Sequence, residues 1–225
     1  MTKQLTKHIQ EVITMKKTIL INASPRKKWN TAHLLKAAEA GACEAGAETE
    51  YVDLYDVKGT GCRSCLACKK KDGRRCHCFW PDGFSPLIDS IFAADAVIIG
   101  TPIYFGEPTA QFRALVERLI FCSFSYDDYS SYVDKKINVG LIYTMNAPYE
   151  YYEKTYKEQF KRTEDLFRYL KGTVSIYAAC NTLQVEDYSK FNMASFSETE
   201  KKEHQEFQFP KDMAAVKAMA ARLSQ

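Results

Sequence analysis

Residues 18–31, TILINASPRKKWNT, carry the reading that decides the fold. Thr18, Ile19, Leu20, Ile21 and Asn22 form a short run of strand-forming residues, too short for a helix and bounded by turn residues. After the loop through Ser24, Pro25 and Arg26, the capping residues Asn30 and Thr31 open a helical period. Leu34, Leu35, Ala38 and Ala42 continue it, and Gly46 stops it. A short apolar strand feeding a capped helix is the first half of a βαβ unit.

The pattern repeats along the chain. Further strands read at residues 50–54 (EYVDL), 96–100 (AVIIG), 137–144 (INVGLIYT) and 173–180 (TVSIYAAC). A short helix reads at 85–93. A stronger one opens at Pro108 and places Phe112, Leu115, Val116, Leu119 and Ile120 on one face. Tyr152, Tyr156, Phe160, Thr163, Phe167 and Leu170 form a fourth helical stripe ending at Gly172. Pro210 opens a last one through Met213, Val216, Ala220 and Leu223. The order βαβαβαβαβα predicts an α/β fold, a doubly wound five-stranded parallel sheet of the flavodoxin-like order 2-1-3-4-5. Its ligand crevice lies at the switch point between the first and third strands. Residues 181–209 are long, polar and poorly patterned, and are expected to wander over the surface.

At about 150 residues per domain, 225 residues predict one domain with an appendage. We place an N-terminal extension at 1–15, where Leu5, Ile9, Val12 and Ile13 suggest a short helix, and the domain at 16–225. A content of 46% hydrophobic and 26% charged residues excludes a disordered chain and a membrane bundle. The net charge of +3 is too small to make nucleic acid or an acidic membrane the main partner. No secretory leader reads at the start, so a cytoplasmic location is expected and the eight cysteines are expected as thiols or ligands.

Two loops carry chemistry. Between the first strand and its helix, Ser24, Asn30 and Thr31 offer hydrogen-bond donors and Arg26 a charge, beside a helix N-terminus; together they suit a phosphate. Neither a dinucleotide glycine fingerprint nor a P-loop is present. After the third strand, Thr101-Pro102-Ile103-Tyr104-Phe105-Gly106 supplies aromatic surface and a glycine that lets a flat ring approach the main chain. Taken singly, a capped basic loop and an ordinary turn would explain each. Facing one crevice, they describe a mononucleotide that carries a flat conjugated ring.

The loop SPRxxxNT (residues 24–31), GCxxCxxC (61–68), TPIYFG (101–106) and IYTMN (142–146) together resemble the flavodoxin-like NAD(P)H-dependent FMN reductases and the related iron–sulfur flavoproteins. The resemblance implies bound FMN, with Ser24, Arg26, Asn30 and Thr31 on its phosphate. It places Pro102, Ile103, Tyr104, Phe105 and Gly106 along the ring, and Thr144, Met145 and Asn146 at the other ring edge. A homodimer or larger homo-oligomer is implied too. Trp29 departs from the small residue frequent in that family. So does residues 69–78, KKKDGRRCHC, where a single cysteine and paired acidic residues are usual.

Cys62, Cys65, Cys68 and Cys76 have a C-x2-C-x2-C-x7-C spacing compatible with a [4Fe–4S] cluster. The basic residues that follow Cys68 fit a solvated loop equally well, and we expect no metal there. Cys43, Cys122 and Cys180 are expected as buried hydrophobes, and His8, His33 and His204 as surface residues. The tyrosine-rich stretches 121–132 and 143–156 suit a wall over the flavin or a subunit contact. The expected function is that of an FMN-dependent oxidoreductase that takes hydride from NAD(P)H and passes electrons to a flavin, quinone or other small acceptor. No side chain is assigned as acid, base or nucleophile, because the cofactor carries the chemistry. The competing readings are an iron–sulfur electron carrier, a flavin-binding sensor without turnover, and a zinc-dependent structural protein.

Overall fold

The computed structural model describes residues 15–225; the helix read over the extension, and His8, lie outside the described residues. Five parallel strands form the sheet: β1 (Lys17–Asn22), β2 (Glu48–Asp53), β3 (Ala96–Tyr104), β5 (Ile137–Thr144) and β6 (Lys171–Ala179), in the order β2-β1-β3-β5-β6. Counted without the two-residue β4 (Glu107–Pro108), which pairs antiparallel with the end of β3, this is the expected 2-1-3-4-5. β1, β3 and β5 are inner strands covered on both faces, so their residues are buried almost without alternation.

The strand period of two sorts these side chains between two cores. Ile19, Ile21, Val97, Ile99, Val139 and Leu141 face α2 (Phe84–Ala93), α3 (Ala110–Ser123) and the helical stretch from Tyr149 to Leu170. Leu20, Ile98 and Ile142 face α1 (Asn30–Glu44) and α7 (Phe209–Leu223). Each fully buried aliphatic side chain contributes about 1.5–3 kcal/mol.

Three boundaries differ from expectation. Pro108 belongs to β4; Thr109 caps α3, its side chain accepting the Phe112 N–H at 3.3 Å. The fourth helical stretch is composite: α4 (Tyr149–Tyr151), a π-helical turn (Tyr152–Tyr156), α5 (Lys157–Leu166) and a 3-10 turn (Phe167–Leu170). Residues 181–209 do not simply wander. They hold a 3-10 turn (Tyr188–Lys190) and α6 (Glu198–Phe207), whose cap Ser197 accepts the Glu200 N–H. The sequence signal was present, because Ser197 and Glu200 have capping-box spacing. Among the described residues, no helix is long and apolar enough to cross a membrane.

Candidate active site

The carboxyl ends of β1, β3 and β5 converge on a crevice of about 360 Å³, of the size small ligands use. Its floor is tied together by short polar contacts. Asn22 Nδ2 donates to Asp53 Oδ1 at 2.8 Å, joining the ends of β1 and β2, and the Asn22 side-chain carbonyl accepts the Ser24 N–H. Ser24 Oγ in turn accepts the Arg26 N–H at 3.1 Å. The Thr31 and Thr144 hydroxyls share a hydrogen bond of 2.8 Å, fastening the start of α1 to the end of β5. Gly100 permits this approach, since a Cβ there would stand 2.8 Å from the Thr31 methyl.

Ser24, Arg26, Asn30 and Thr31 line the crevice together with Pro102, Ile103, Tyr104, Thr144, Met145 and Asn146. Phe105 and Gly106 do not line it. β3 runs on to Tyr104 and folds back at once, so these two residues form the tip of a hairpin, with φ of 52° and 82°. Positive φ at both central positions is the two-residue turn that matches strand twist, and it leaves the Phe105 ring wholly in solvent. A left-handed non-glycine residue costs about 1–2 kcal/mol. Phe105→Asn, which creates the Asn-Gly pair this turn favours, is therefore expected to raise stability by about 0.5–1 kcal/mol. A urea midpoint at or below that of the wild type would count against it.

The sequence reading did not place the strap, residues 182–193, at the site. Thr182, Leu183, Gln184, Val185, Phe191 and Met193 complete the crevice wall. The strap is anchored where Thr182 N–H and Oγ1 both donate to the Met145 carbonyl, at 3.0 and 3.1 Å. Beyond that point, Trp29 Nε1 (3.0 Å) and Asn30 Nδ2 (2.7 Å) converge on the Leu183 carbonyl, and Arg26 Nη1 donates to the Gln184 carbonyl at 2.6 Å. The Arg26 guanidinium also lies 4.1 Å from the Trp29 ring centroid. Trp29, the residue that departs from the family pattern, is thus a member of the donor set.

This chemistry fits FMN. Arg26, Trp29 and Asn30 bring three donors from one loop to the crevice wall, held there by the Leu183 and Gln184 carbonyls whose place a phosphate would take, and Asn146 Oδ1 is buried without a hydrogen-bond partner. Partial burial and the nearby Tyr55 hydroxyl hold the Tyr104 phenol above its ordinary pKa, against the pull of Arg26.

The cysteine loop departs from expectation. Cys62, Cys65 and Cys68 share a small cavity with Cys78, whereas Cys76 is absent from its lining and has Asp134, Lys171 and Lys69 as its charged neighbours. Among the described residues, no group of three or more His, Cys, Asp or Glu side chains is placed to hold a metal ion. The quartet read from spacing is not assembled, and it does not fit a cluster. Burial raises the Cys68 thiol and pushes Cys76 up to about 11, against thiolate formation. Arg118, 1% exposed, donates from Nε and Nη2 to Cys78 Sγ, each at 3.2 Å, and grips Asp82 at 2.6 and 2.7 Å.

Lys69 is not solvated either. It donates to the carbonyls of Phe121 and Phe124 and stands 4.0 Å from the Phe124 ring centroid. The aromatic stretch 121–132 therefore packs on the cysteine loop rather than over the crevice. Tyr143 is buried against Phe160. Tyr149 and Tyr152 line a separate, larger cavity of about 740 Å³ at the β6 edge, away from the switch point. Cys122 and Cys180 are buried as expected but Cys43 is exposed; His33 is exposed and His204 half-buried.

A doubly wound α/β domain with a crevice at its switch point defines a flavodoxin-like protein. The model of the NADPH-dependent FMN reductase family matches residues 16–144, and the chain belongs to that family. An iron–sulfur flavoprotein of Methanocaldococcus jannaschii is 35% identical over 102 residues, 45% of this chain and 51% of its own length. One of Archaeoglobus fulgidus is also 35% identical over 102 residues, 45% and 48% of the two chains. The chain thus spans about half the length of these relatives. Among solved structures, an NAD(P)H:quinone oxidoreductase from Methanothermobacter marburgensis superposes with a TM-score of 0.70 at 14% identity, covering 94% of this chain and 98% of its own. An FMN-dependent NADH-azoreductase from Bacillus anthracis, solved with FMN, gives 0.65 at 15% identity, covering 93% and 100%. At such identities the likeness is one of fold.

Proposed function

We propose that the domain at 16–225 is an FMN-dependent oxidoreductase that takes hydride from NAD(P)H and passes electrons to a small acceptor such as a quinone or free flavin. The observation that carries this is the convergence of Arg26, Trp29 and Asn30 on a switch-point crevice that Tyr104, Met145 and Asn146 also wall. FMN, when bound, supplies the redox chemistry. Ser24, Arg26, Asn30 and Thr31 bind the phosphate. Pro102, Ile103 and Tyr104 hold one edge of the ring and Thr144, Met145 and Asn146 the other. We place the protein in the cytoplasm as a homodimer or larger homo-oligomer.

The test is anaerobic mixing of the flavin-loaded protein with NADPH and with NADH, followed by addition of a quinone. Bleaching of the flavin and its return on adding quinone are expected. A flavin reduced by neither nucleotide would leave the electron-carrier or sensor reading in its place. The iron–sulfur reading has in its favour the names of the relatives and the gathering of Cys62, Cys65, Cys68 and Cys78 about one cavity. Stoichiometric iron and acid-labile sulfide in anaerobically purified protein would establish it over ours.

A further inference from the structure

Lys201 is 4% exposed, yet its ammonium is held by two neutral carbonyl oxygens. α6 carries it to the rim of the crevice, where Nζ donates to the Asn146 carbonyl at 2.8 Å and to the Asn181 side-chain carbonyl. Asn146 belongs to the crevice wall. Asn181, with φ of 53°, is the turn at which the chain leaves β6, and its N–H donates to the Ala147 carbonyl at 2.8 Å. One ammonium thus ties together the ring-side wall, the root of the strap and α6. A buried cation held only by neutral acceptors is costly, and an apolar residue would serve simple packing better.

We propose that Lys201 is a positioning residue of the FMN site, whose ammonium keeps the Asn146 wall and the strap root in register for bound flavin. The proposal rests on the FMN reading above. Burial pushes the Lys201 pKa down to about 8, against the opposite influence of Glu200 beside it on α6. His204, one turn along α6, is lowered by its own burial and by Lys201, while Asp212 of α7 acts on it in the other direction. Residues 145–147 and 181–182 present only neutral groups, and the Phe196 ring lies 5.8 Å from Nζ. With its pKa lowered, Lys201 loses its charge as pH rises past about 8, and the grip on both carbonyl oxygens weakens in that direction.

The test is FMN affinity of the full chain by flavin fluorescence from about pH 6.5 to about pH 9.5, for wild type, Lys201→Met and Lys201→Arg. Amide hydrogen exchange of residues 181–185 is followed in parallel without FMN. Wild-type affinity is expected to fall about tenfold across the titration, and Lys201→Met to bind about tenfold more weakly near neutrality with that fall abolished. Lys201→Arg, charged throughout, should hold its affinity into alkali. Should Lys201→Met fail to fold, the comparison of wild type with Lys201→Arg carries the test alone. FMN bound with an affinity indifferent to pH and to Lys201 overturns the proposal on its own account. A protein that binds no FMN at any pH overturns it through its foundation, and strap exchange that still loosens with pH in wild type but not in Lys201→Arg then marks the cofactor reading as the part that failed.

Discussion

Arg118→Met is expected to lower the unfolding free energy by about 3–5 kcal/mol, the cost of leaving one partner of a buried ion pair alone. The side chain is 1% exposed and fully engaged: Nη1 holds both oxygens of Asp82 and the Thr60 carbonyl, while Nη2 reaches Ser85 Oγ, the Trp80 carbonyl and Cys78 Sγ. Methionine fills much of the volume but leaves these acceptors without a donor. Lysine should not rescue it, because a single ammonium cannot reproduce the planar fork. The pH dependence adds a second readout. Burial works against the charged Asp82, but Arg118 and the N–H groups of Thr60 and Phe84 outweigh it and hold its pKa below the ordinary value. A depressed carboxyl contributes stability that is present above the unfolded-state pKa of about 4 and lost as pH falls through the folded one. Wild type should therefore lose stability on acidification below that point, and Arg118→Met should lose less. Urea titrations at neutral and acidic pH check both, and a change at neutrality below about 1 kcal/mol would mean that the pair is not what fastens the cysteine loop to α3.

Arg26→Ala is expected to weaken FMN binding by about 1.5–3 kcal/mol, or roughly 10- to 150-fold, the range for a hydrogen bond to a charged group. Arg26 is positioned before any ligand arrives, stacked on Trp29 and donating to the Gln184 carbonyl. Binding a phosphate exchanges a neutral carbonyl for an anion on the same donor, which strengthens the bond. Asn30→Ala should act in the same direction with a smaller effect, since a neutral donor is lost. Equilibrium titration of the cofactor-free protein with FMN measures both, and an affinity unaltered by Arg26→Ala would remove this loop from the phosphate role.

The fold was legible because its signals are local. The apolar runs at Ile19–Ile21, Val97–Ile99 and Val139–Ile142 are strands buried on both faces, and the stripe from Phe112 to Ile120 is helical wherever the chain places it. The loops at the carboxyl ends of β1, β3 and β5 follow from the order of elements alone, since a doubly wound sheet must bring them to one crevice. The capping box at Ser197 was equally local; its helix went unread because the polar stretch around it has no apolar stripe.

Contacts between distant residues were not legible. Trp29 and Asn30 meet Leu183 across more than 150 residues, and nothing in SPRKKWNT announces which carbonyls its donors will find. Cysteine spacing counts residues but not backbone direction. Left-handed φ at Ser64, Leu66 and Cys76 turns the loop so that Cys78, not Cys76, joins Cys62, Cys65 and Cys68. The exposure of Phe105, the half-burial of Lys69 and the burial of Lys201 likewise depend on neighbours that only chain closure supplies. Secondary structure follows from periodicity carried by a few consecutive residues, whereas the partner of a donor, a thiol or an ammonium is set by packing among segments that meet only in the folded protein.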